Sequence, residues 1–320
     1  MTEQSLATII KRRNGQYFTK GNCFKLFSFK EWFNSIPGNA SMTIVEPFAG
    51  SGDIPSLMQK AGYNNKWELY DLYPQGKDVV KNDSIAHCPK GKCIITNPPY
   101  LAKNSATRRG LKFPETDYDD LYKLALSKIL DSALYVAAII PESFITSGMF
   151  LNRISRVISL RFKMFDDTSC PVCLALFSPS DVFQVYYNNK LIGNMPKLKK
   201  CLPTPRMTQQ WTFNSRKGDI GLIAIDNTRT NTIRFVRGET ILGDSIKVSS
   251  RAITRILGNG HYNLDKLITE ANAILGKLRS DTQDVFLTSF KGIRKDSKYR
   301  RRLDYSLARD ILDLAYEHLT

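Results

Sequence analysis

Residues 42–62 constrain the fold more than any other stretch. A short β-branched run, MTIV (42–45), passes straight into the turn Glu46-Pro47-Phe48-Ala49-Gly50-Ser51-Gly52-Asp53. The segment IPSLMQKA (54–61) follows with helical spacing, and Gly62 closes it. A buried strand that turns at once into a helix must lay that helix back on its own sheet. The next strand then runs parallel to the first. The segments that follow repeat the rhythm. KWELYDL (66–72) alternates as a strand ending at Asp71, and KCIIT (92–96) is a strand stopped by two prolines. Residues 103–118 are polar and basic and predict a loop. Residues 119–132 predict a helix with Leu121, Leu124, Ala125 and Ile129 on one face, and LYVAAII (134–140) predicts a buried strand. A helix is expected over 148–158 and strands over 159–165 and 172–177. The fold class is therefore α/β, a doubly wound, mostly parallel sheet.

The pattern changes after about residue 182. Short strand-like runs (182–187, 220–225, 232–236), prolines at 203 and 205 and two late helical stretches (264–278, 305–318) keep no strand–helix–strand order. Two domains are expected, 1–185 and 186–320, the second a smaller, basic α+β unit. Charge divides along the same line. The chain of 320 residues has a formal net charge of +16. Residues 1–181 contribute +5 and residues 182–320 contribute +11. The densest run, KGIRKDSKYRRR (291–302), holds Lys291, Arg294, Lys295, Lys298, Arg300, Arg301 and Arg302 against one aspartate. So lopsided a surface attracts polyanions and favours nucleic acid over a uniformly solvated face. The composition is that of a globular chain. No apolar run approaches the about 20 residues needed to span a bilayer, and no signal-peptide core opens the sequence, so a soluble, cytoplasmic protein is expected.

Ligands of open α/β sheets bind beyond the carboxyl ends of the strands. The glycine turn after the first strand, with Glu46, Phe48 and Gly50, is placed for that. Asp71, with Leu72 beside it, ends the next strand, where an acidic side chain commonly accepts from ribose hydroxyls. Asp83, followed by Ser84, lies in another turn and can accept from an adenine amino group. Asn97-Pro98-Pro99-Tyr100 follows the apolar strand. Its prolines remove two N–H donors, leaving the Asn97 amide oxygen and the Pro98 carbonyl as acceptors near an aromatic ring. Such a set suits a planar group bearing an NH₂, held at its hydrogens and stacked on Tyr100. Lys103, Arg108, Arg109 and Lys112 lie just beyond and can contact phosphates.

Over about 15–180 the sequence resembles the S-adenosylmethionine-dependent amino-methyltransferases of DNA. EPFAGSGD resembles the family's methionine-binding motif and NPPY its catalytic motif. GQYFT (15–19) resembles the motif over the cofactor, which implies contacts from Tyr17, Phe18 and Thr19. FDDTSCPVCLALF (165–177) resembles the strand carrying a second base-contacting aromatic, which implies that role for Phe165. DLYKLAL and AAIIPESFI resemble the helix and strand between them. Only 43 residues separate Gly52 from Ile95, so the recognition region must follow the catalytic motif, which is the gamma order of the Taq-type adenine enzymes. The resemblance implies a class I methyltransferase fold and S-adenosylmethionine as cofactor. It also implies catalysis by Asn97, Pro98, Tyr100 and Phe165 on N6 of an adenine flipped from double-stranded DNA. The enzyme is expected to be a monomer and the modification half of a restriction–modification pair, sharing its site with a cognate endonuclease.

The alternatives are a methyltransferase for RNA or for a protein glutamine, and a non-catalytic DNA-binding module of the same fold. Cys88, Cys93, Cys170 and Cys173 offer four thiols of the kind a zinc site uses. The strand reading of 170–177 points alternate residues to opposite faces, so no metal is expected.

Overall fold

The computed structural model describes residues 21–165, 170–179, 182–247, 250–295 and 298–320. The chain divides into two compact units, Met1–Leu191 and Ile192–Thr320, a little beyond the expected boundary. In the first, helix α1 (Phe27–Asn34) precedes strand β1 (Ile44–Glu46), helix α2 (Asp53–Gln59), and strands β2 (Trp67–Asp71), β3 (Val79–Lys81) and β4 (Cys93–Thr96). Helices α3 (Lys103–Arg108) and α4 (Leu121–Ser132) lead to β5 (Tyr135–Pro141), β6 (Ile154–Ser159), β7 (Val172–Phe177), β8 (Gln184–Tyr187) and β9 (Lys190–Asn194). The strands form one sheet in the order β3-β2-β1-β4-β5-β7-β6-β8-β9. All pairs from β3 to β5 are parallel, and β7 runs antiparallel to β5 and β6. The expected α/β, mostly parallel sheet is the one observed.

Successive side chains on a strand face opposite ways. Ile44, Cys93, Ile95, Ala137, Ile139, Leu174 and Leu176 therefore share one face, and they pack with Phe29, Trp32 and Phe33 of α1 and Ile54, Leu57 and Met58 of α2. The alternate residues Val45, Ile94, Val136, Ala138 and Ile140 are equally buried, and α4 packs along β5. Burial on both faces explains why these strands read as continuous apolar runs.

Three local expectations are corrected. The 148–158 segment is not a helix; Ile154–Ser159 is strand β6. Ile154, Val157 and Ile158 have a spacing that a helix and a doubly buried strand share. β-branching and pairing with β7 decide for the strand. The chain leaves the sheet at Leu160, so 159–165 is not a strand. Likewise the 103–118 loop contains α3, with Ala106 buried beneath it.

In the second unit, helix α5 (Met195–Lys199) leads to strands β10 (Trp211–Phe213), β11 (Ile220–Ile223), β12 (Arg234–Arg237) and β13 (Ile253–Gly258), then helix α6 (Leu264–Thr282), strands β14 (Thr288–Ile293) and β15 (Tyr299–Arg302), and helix α7 (Tyr305–Glu317). The antiparallel sheet β10-β13-β11-β12 packs its Ile220, Leu222, Phe235 and Ile256 against Leu267, Ala271 and Leu275 of α6 and Leu307, Ile311 and Leu312 of α7. β14 and β15 form a separate ribbon. Among the described residues no helix is long and apolar enough to cross a membrane.

Candidate functional site

β1 lies between β2 and β4, and strand order reverses there. β1 leads outward to β2 and β3 on one side, whereas β4 and β5 lie on the other. The register sets Ile44 opposite Cys93 and Val45 opposite Ile94. The glycine turn after β1 and the Asn97-Pro98-Pro99-Tyr100 segment after β4 therefore leave the sheet side by side at its carboxyl edge. That is the switch-point crevice of an open α/β sheet.

The glycine turn is pinned to the end of β2. The Ala49 N–H donates to the Tyr70 carbonyl at 2.8 Å, and the Gly50 N–H donates to Oδ2 of Asp71 at 2.8 Å. The other oxygen of Asp71 accepts from the Tyr73 N–H at 2.8 Å. Gly50 and Gly52 have φ of +53° and +79°, a region open to glycine at no steric cost, and a Cβ on Gly52 would meet nothing within 4 Å. The turn is thus a shallow backbone cradle. Asp71, only 6% exposed, holds its shape as well as closing one wall.

Glu46 is 2% exposed, and its Oε2 is buried without a hydrogen-bond partner, as is Oδ2 of Asp53. Burial pushes the Glu46 carboxyl well above the usual carboxylate range, and the charges of Asp53 and then Asp71 push the same way. Three carboxylates converge on one cradle with two oxygens unsatisfied. A cationic ligand is what such a site lacks, and S-adenosylmethionine, with its ammonium and sulfonium, fits it. Among the described residues no cluster of ligating side chains could hold a metal ion.

Asp83 and Ser84 lie beside this cradle, since the Asn82 N–H donates to the Asp71 carbonyl at 2.9 Å. Oδ1 of Asp83 accepts from the N–H groups of Ile85 and Ala86 at 3.1 and 3.2 Å, so the residue shapes its own turn and remains exposed. Ser84 is buried, Leu72 exposed and Phe48 half-buried. Tyr17, Phe18 and Thr19 lie outside the described residues.

At the other half of the crevice, Oη of Tyr100 lies 2.7 Å from Oδ1 of Asn97 and 2.6 Å from the Ile139 carbonyl of β5. A phenol has one proton for these two acceptors. Turning the Asn97 amide so that Nδ2 donates to Oη satisfies both contacts, and it leaves the carbonyl end of the amide to meet an amino donor. Pro98 is buried and Tyr100 half-buried. The edge of the Tyr100 ring meets Tyr122 at 6.2 Å and Phe165 at 6.3 Å between centroids. Phe165 is 1% exposed within the core of this unit, so it backs Tyr100 rather than presenting its own face. Asp53, Tyr122 and the Ile139 carbonyl join the site without having been singled out by the sequence. Asp53 closes the glycine motif and was visible there; the other two reach the site only through α4 and β5.

Lys103, Arg108, Arg109 and Lys112 are all exposed beyond Tyr100. Their segment is fastened by Asp120, which accepts from the Leu101 N–H at 3.1 Å and caps α4. The basic run 291–302 is different. β15 alternates, with Tyr299 and Arg301 inward and Arg300 and Arg302 half-buried. Arg301, 2% exposed, donates to Oγ of Ser289 at 2.7 Å. Arg294, 3% exposed, donates to Oδ2 of Asp226 at 2.9 Å and to Asn231. The expectation that these two arginines meet DNA is corrected, because each is spent inside its own unit. Arg300 lies 4.9 Å from the Phe290 ring centroid and donates to the Asp226 carbonyl at 2.9 Å. Lys295 and Lys298 are exposed; the Lys291 side chain lies outside the described part of the structure.

No protein-family model matches the chain, and no curated protein matches it. Among solved structures, one described as a class I S-adenosylmethionine-dependent methyltransferase from Listeria monocytogenes matches with 13% identity and a TM-score of 0.39, covering 57% of this chain and 71% of that one. The type I restriction-modification methyltransferase subunit from Streptococcus thermophilus matches at 15% identity and a TM-score of 0.42, over 62% and 54% of the two chains. The M protein of the type I restriction enzyme EcoKI matches at 12% identity and a TM-score of 0.37, over 88% and 74%. The chain spans about half the length of the Streptococcus protein. These are distant likenesses.

Proposed function

We propose that this chain is an S-adenosylmethionine-dependent DNA methyltransferase. In this reading it acts on the N6 amino group of an adenine flipped from the duplex, as the modification activity of a restriction–modification pair. One observation carries the reading: the acidic glycine cradle and the Asn97-Pro98-Pro99-Tyr100 segment share the switch-point edge of the sheet. A cation-seeking cradle and an amino-seeking acceptor pair, side by side, suit transfer between a cationic donor and an NH₂ group.

When bound, S-adenosylmethionine supplies an already activated methyl group. Glu46 and Asp53 would hold its ammonium end, the Gly50–Gly52 backbone would let it approach closely, and Asp71 and Asp83 would accept from its ribose and adenine. The amino lone pair of the target base is delocalised into its ring. Asn97 Oδ1 and the Pro98 carbonyl accept its two hydrogens and draw the nitrogen toward tetrahedral geometry, which aims the lone pair at the methyl carbon. The N–CH3 bond would form as the S–CH3 bond breaks, its electron pair leaving on sulfur as a neutral thioether, and the nitrogen would then give up one proton to solvent. Tyr100 offers a stacking face worth about 1–3 kcal/mol against the cost of unstacking the base. The basic 103–112 segment contacts phosphates next to the flipped nucleotide, and the second unit holds the duplex.

The test is transfer of labelled methyl from S-adenosylmethionine to duplex DNA, to transfer RNA and to a protein release factor, followed by modification-sensitive sequencing. N6-methyladenine at a defined DNA site is expected. Label in RNA or protein alone overturns the reading.

Two results are expected at the cradle. Cofactor affinity should rise as pH passes through the elevated Glu46 value, because the cation binds the carboxylate and not the acid, until the ligand's own α-ammonium begins to lose its proton at about pH 8. Glu46→Gln should weaken binding and flatten the profile in calorimetric titrations from pH 5 to 9. A pH-independent affinity in the native chain would remove Glu46 from the site. Asp71→Ala should weaken cofactor binding by about tenfold or more, losing a ligand contact and the Gly50 hydrogen bond together. An unchanged dissociation constant would leave Asp71 as a turn cap only.

A further inference from the structure

The second unit contains a cavity of about 400 Å³ lined by Asn214, Ser250, Arg251, Arg302, Asp304 and Tyr305. Its charge is unbalanced. Arg251 is exposed and Arg302 half-buried, and neither takes part in an ion pair among the described residues. The one carboxylate on the wall is already engaged. Oδ1 of Asp304 accepts from the Leu307 N–H at 3.0 Å as the cap of α7, and Oδ2 accepts from Oγ1 of Thr288 at 3.4 Å.

The remaining wall is polar and internally bonded. Oη of Tyr305 lies 2.6 Å from the Ser250 carbonyl and 3.3 Å from Oδ1 of Asn214. Its ring stacks on Phe213 at 4.3 Å, and the Arg309 guanidinium lies 4.7 Å from the Phe213 ring centroid. Burial raises the Tyr305 phenol above its ordinary value, whereas Arg302 and Arg251 are close enough to act against that rise. Two arginines thus line one concave space beside Tyr305, whose ring stacks on Phe213.

We propose that this cavity is a phosphate-binding pocket in which Arg251 and Arg302 clamp one backbone phosphate of the bound duplex. A guanidinium is planar and matches phosphate oxygens in pairs, which makes two of them on one wall a phosphate clamp rather than a general cation surface. The occupant follows from the DNA reading above; the pocket itself follows from its residues. It also replaces the buried Arg294 and Arg301 as an anchoring point, and it adds Arg251, which lies outside the dense basic run.

The experiment is duplex binding by fluorescence anisotropy over a salt series, with the full chain and with Arg251→Ala, Arg302→Ala and the double variant. Lys266→Ala, an exposed cation of α6, is the control, and thermal melts establish folding. The double variant should weaken binding by roughly tenfold or more and flatten the slope of log K against log salt by about 0.9, the value of one phosphate. Arg251→Ala alone should account for part of both changes, and Lys266→Ala for neither. A parallel titration with inorganic phosphate, read by phosphorus NMR, separates a clamp for free phosphate from one that needs the strand; strong competition by millimolar phosphate with no change in the DNA slope overturns the proposal. Native DNA affinity and slope in the folded double variant also overturn it and leave the methyltransferase reading intact. A native chain that binds no duplex, yet transfers methyl to another substrate, overturns both.

Discussion

Asn97→Ala should lower turnover by about 10²–10³-fold, some 3–4 kcal/mol, while leaving the cofactor dissociation constant close to native. The effect is large because the contact matters mainly at the transition state. An aryl amino group attacks poorly in its planar form, because its lone pair is conjugated with the ring; in the proposed reading it gains nucleophilicity only as Asn97 Oδ1 and the Pro98 carbonyl draw its hydrogens out of the ring plane. Substrate binding uses the same atoms far less, so kcat should fall more than KM rises. Tyr100→Phe is the informative companion. It keeps the ring face for stacking but removes the hydroxyl that bridges Asn97 and the Ile139 carbonyl. Its loss in turnover should be smaller, reflecting a less firmly oriented amide. Single-turnover kinetics at saturating DNA and cofactor check both. Near-native turnover in Asn97→Ala removes the residue from the chemistry.

Asp226→Ala should destabilise the second unit by about 3–5 kcal/mol. This carboxylate is fully buried and is shared by two arginines. Arg279 meets it in a paired fork at 3.1 and 2.8 Å, and Arg294 meets Oδ2 at 2.9 Å. Its Oδ1 also accepts from the N–H groups of Thr232 and Ile233 at 2.8 and 3.3 Å. Removing it takes from two buried guanidiniums the charge they share, and from the 226–233 turn its anchor. A unit of this size should melt roughly 10–20 °C lower. Burial alone would raise the Asp226 carboxyl, but Arg279 outweighs it and holds the group below the usual carboxylate range. The folded value therefore lies under the unfolded one. The stabilisation is complete above about pH 4 and is lost as pH falls through the folded value. Acid melts of the native chain should show that loss, and Asp226→Asn should lack it. A native melting temperature for Asp226→Ala would mean that the guanidiniums find equivalent partners.

The same network explains what was not legible in the basic run 291–302. Seven cations in twelve residues look like one polyanion surface. Two of them are internal because their partners lie elsewhere in the chain, Asp226 for Arg294 and Ser289 for Arg301. Strand alternation in β15 turns Arg301 inward and leaves Arg302 on the other side, where it lines the cavity that Arg251 also lines. No local pattern states that a strand occurs there, since YRRR lacks the apolar alternation that marks one.

What the sequence determined by itself was the part whose physics is local. Glycines at φ of +53° and +79° are required by the turn after β1, two prolines fix the backbone after β4, and apolar runs doubly buried in a parallel sheet announce themselves. These demands are met within a few residues, so composition and order disclose them. Only the tertiary structure decided that 154–159 pairs as a strand rather than coiling. It alone set Asp71 to shape the glycine turn, gave Tyr100 its second anchor on β5, and divided the arginines between a buried network and an open pocket. Each of those outcomes depends on a partner brought near by sheet order, and the strength of a hydrogen bond or ion pair depends on burial that no short segment carries.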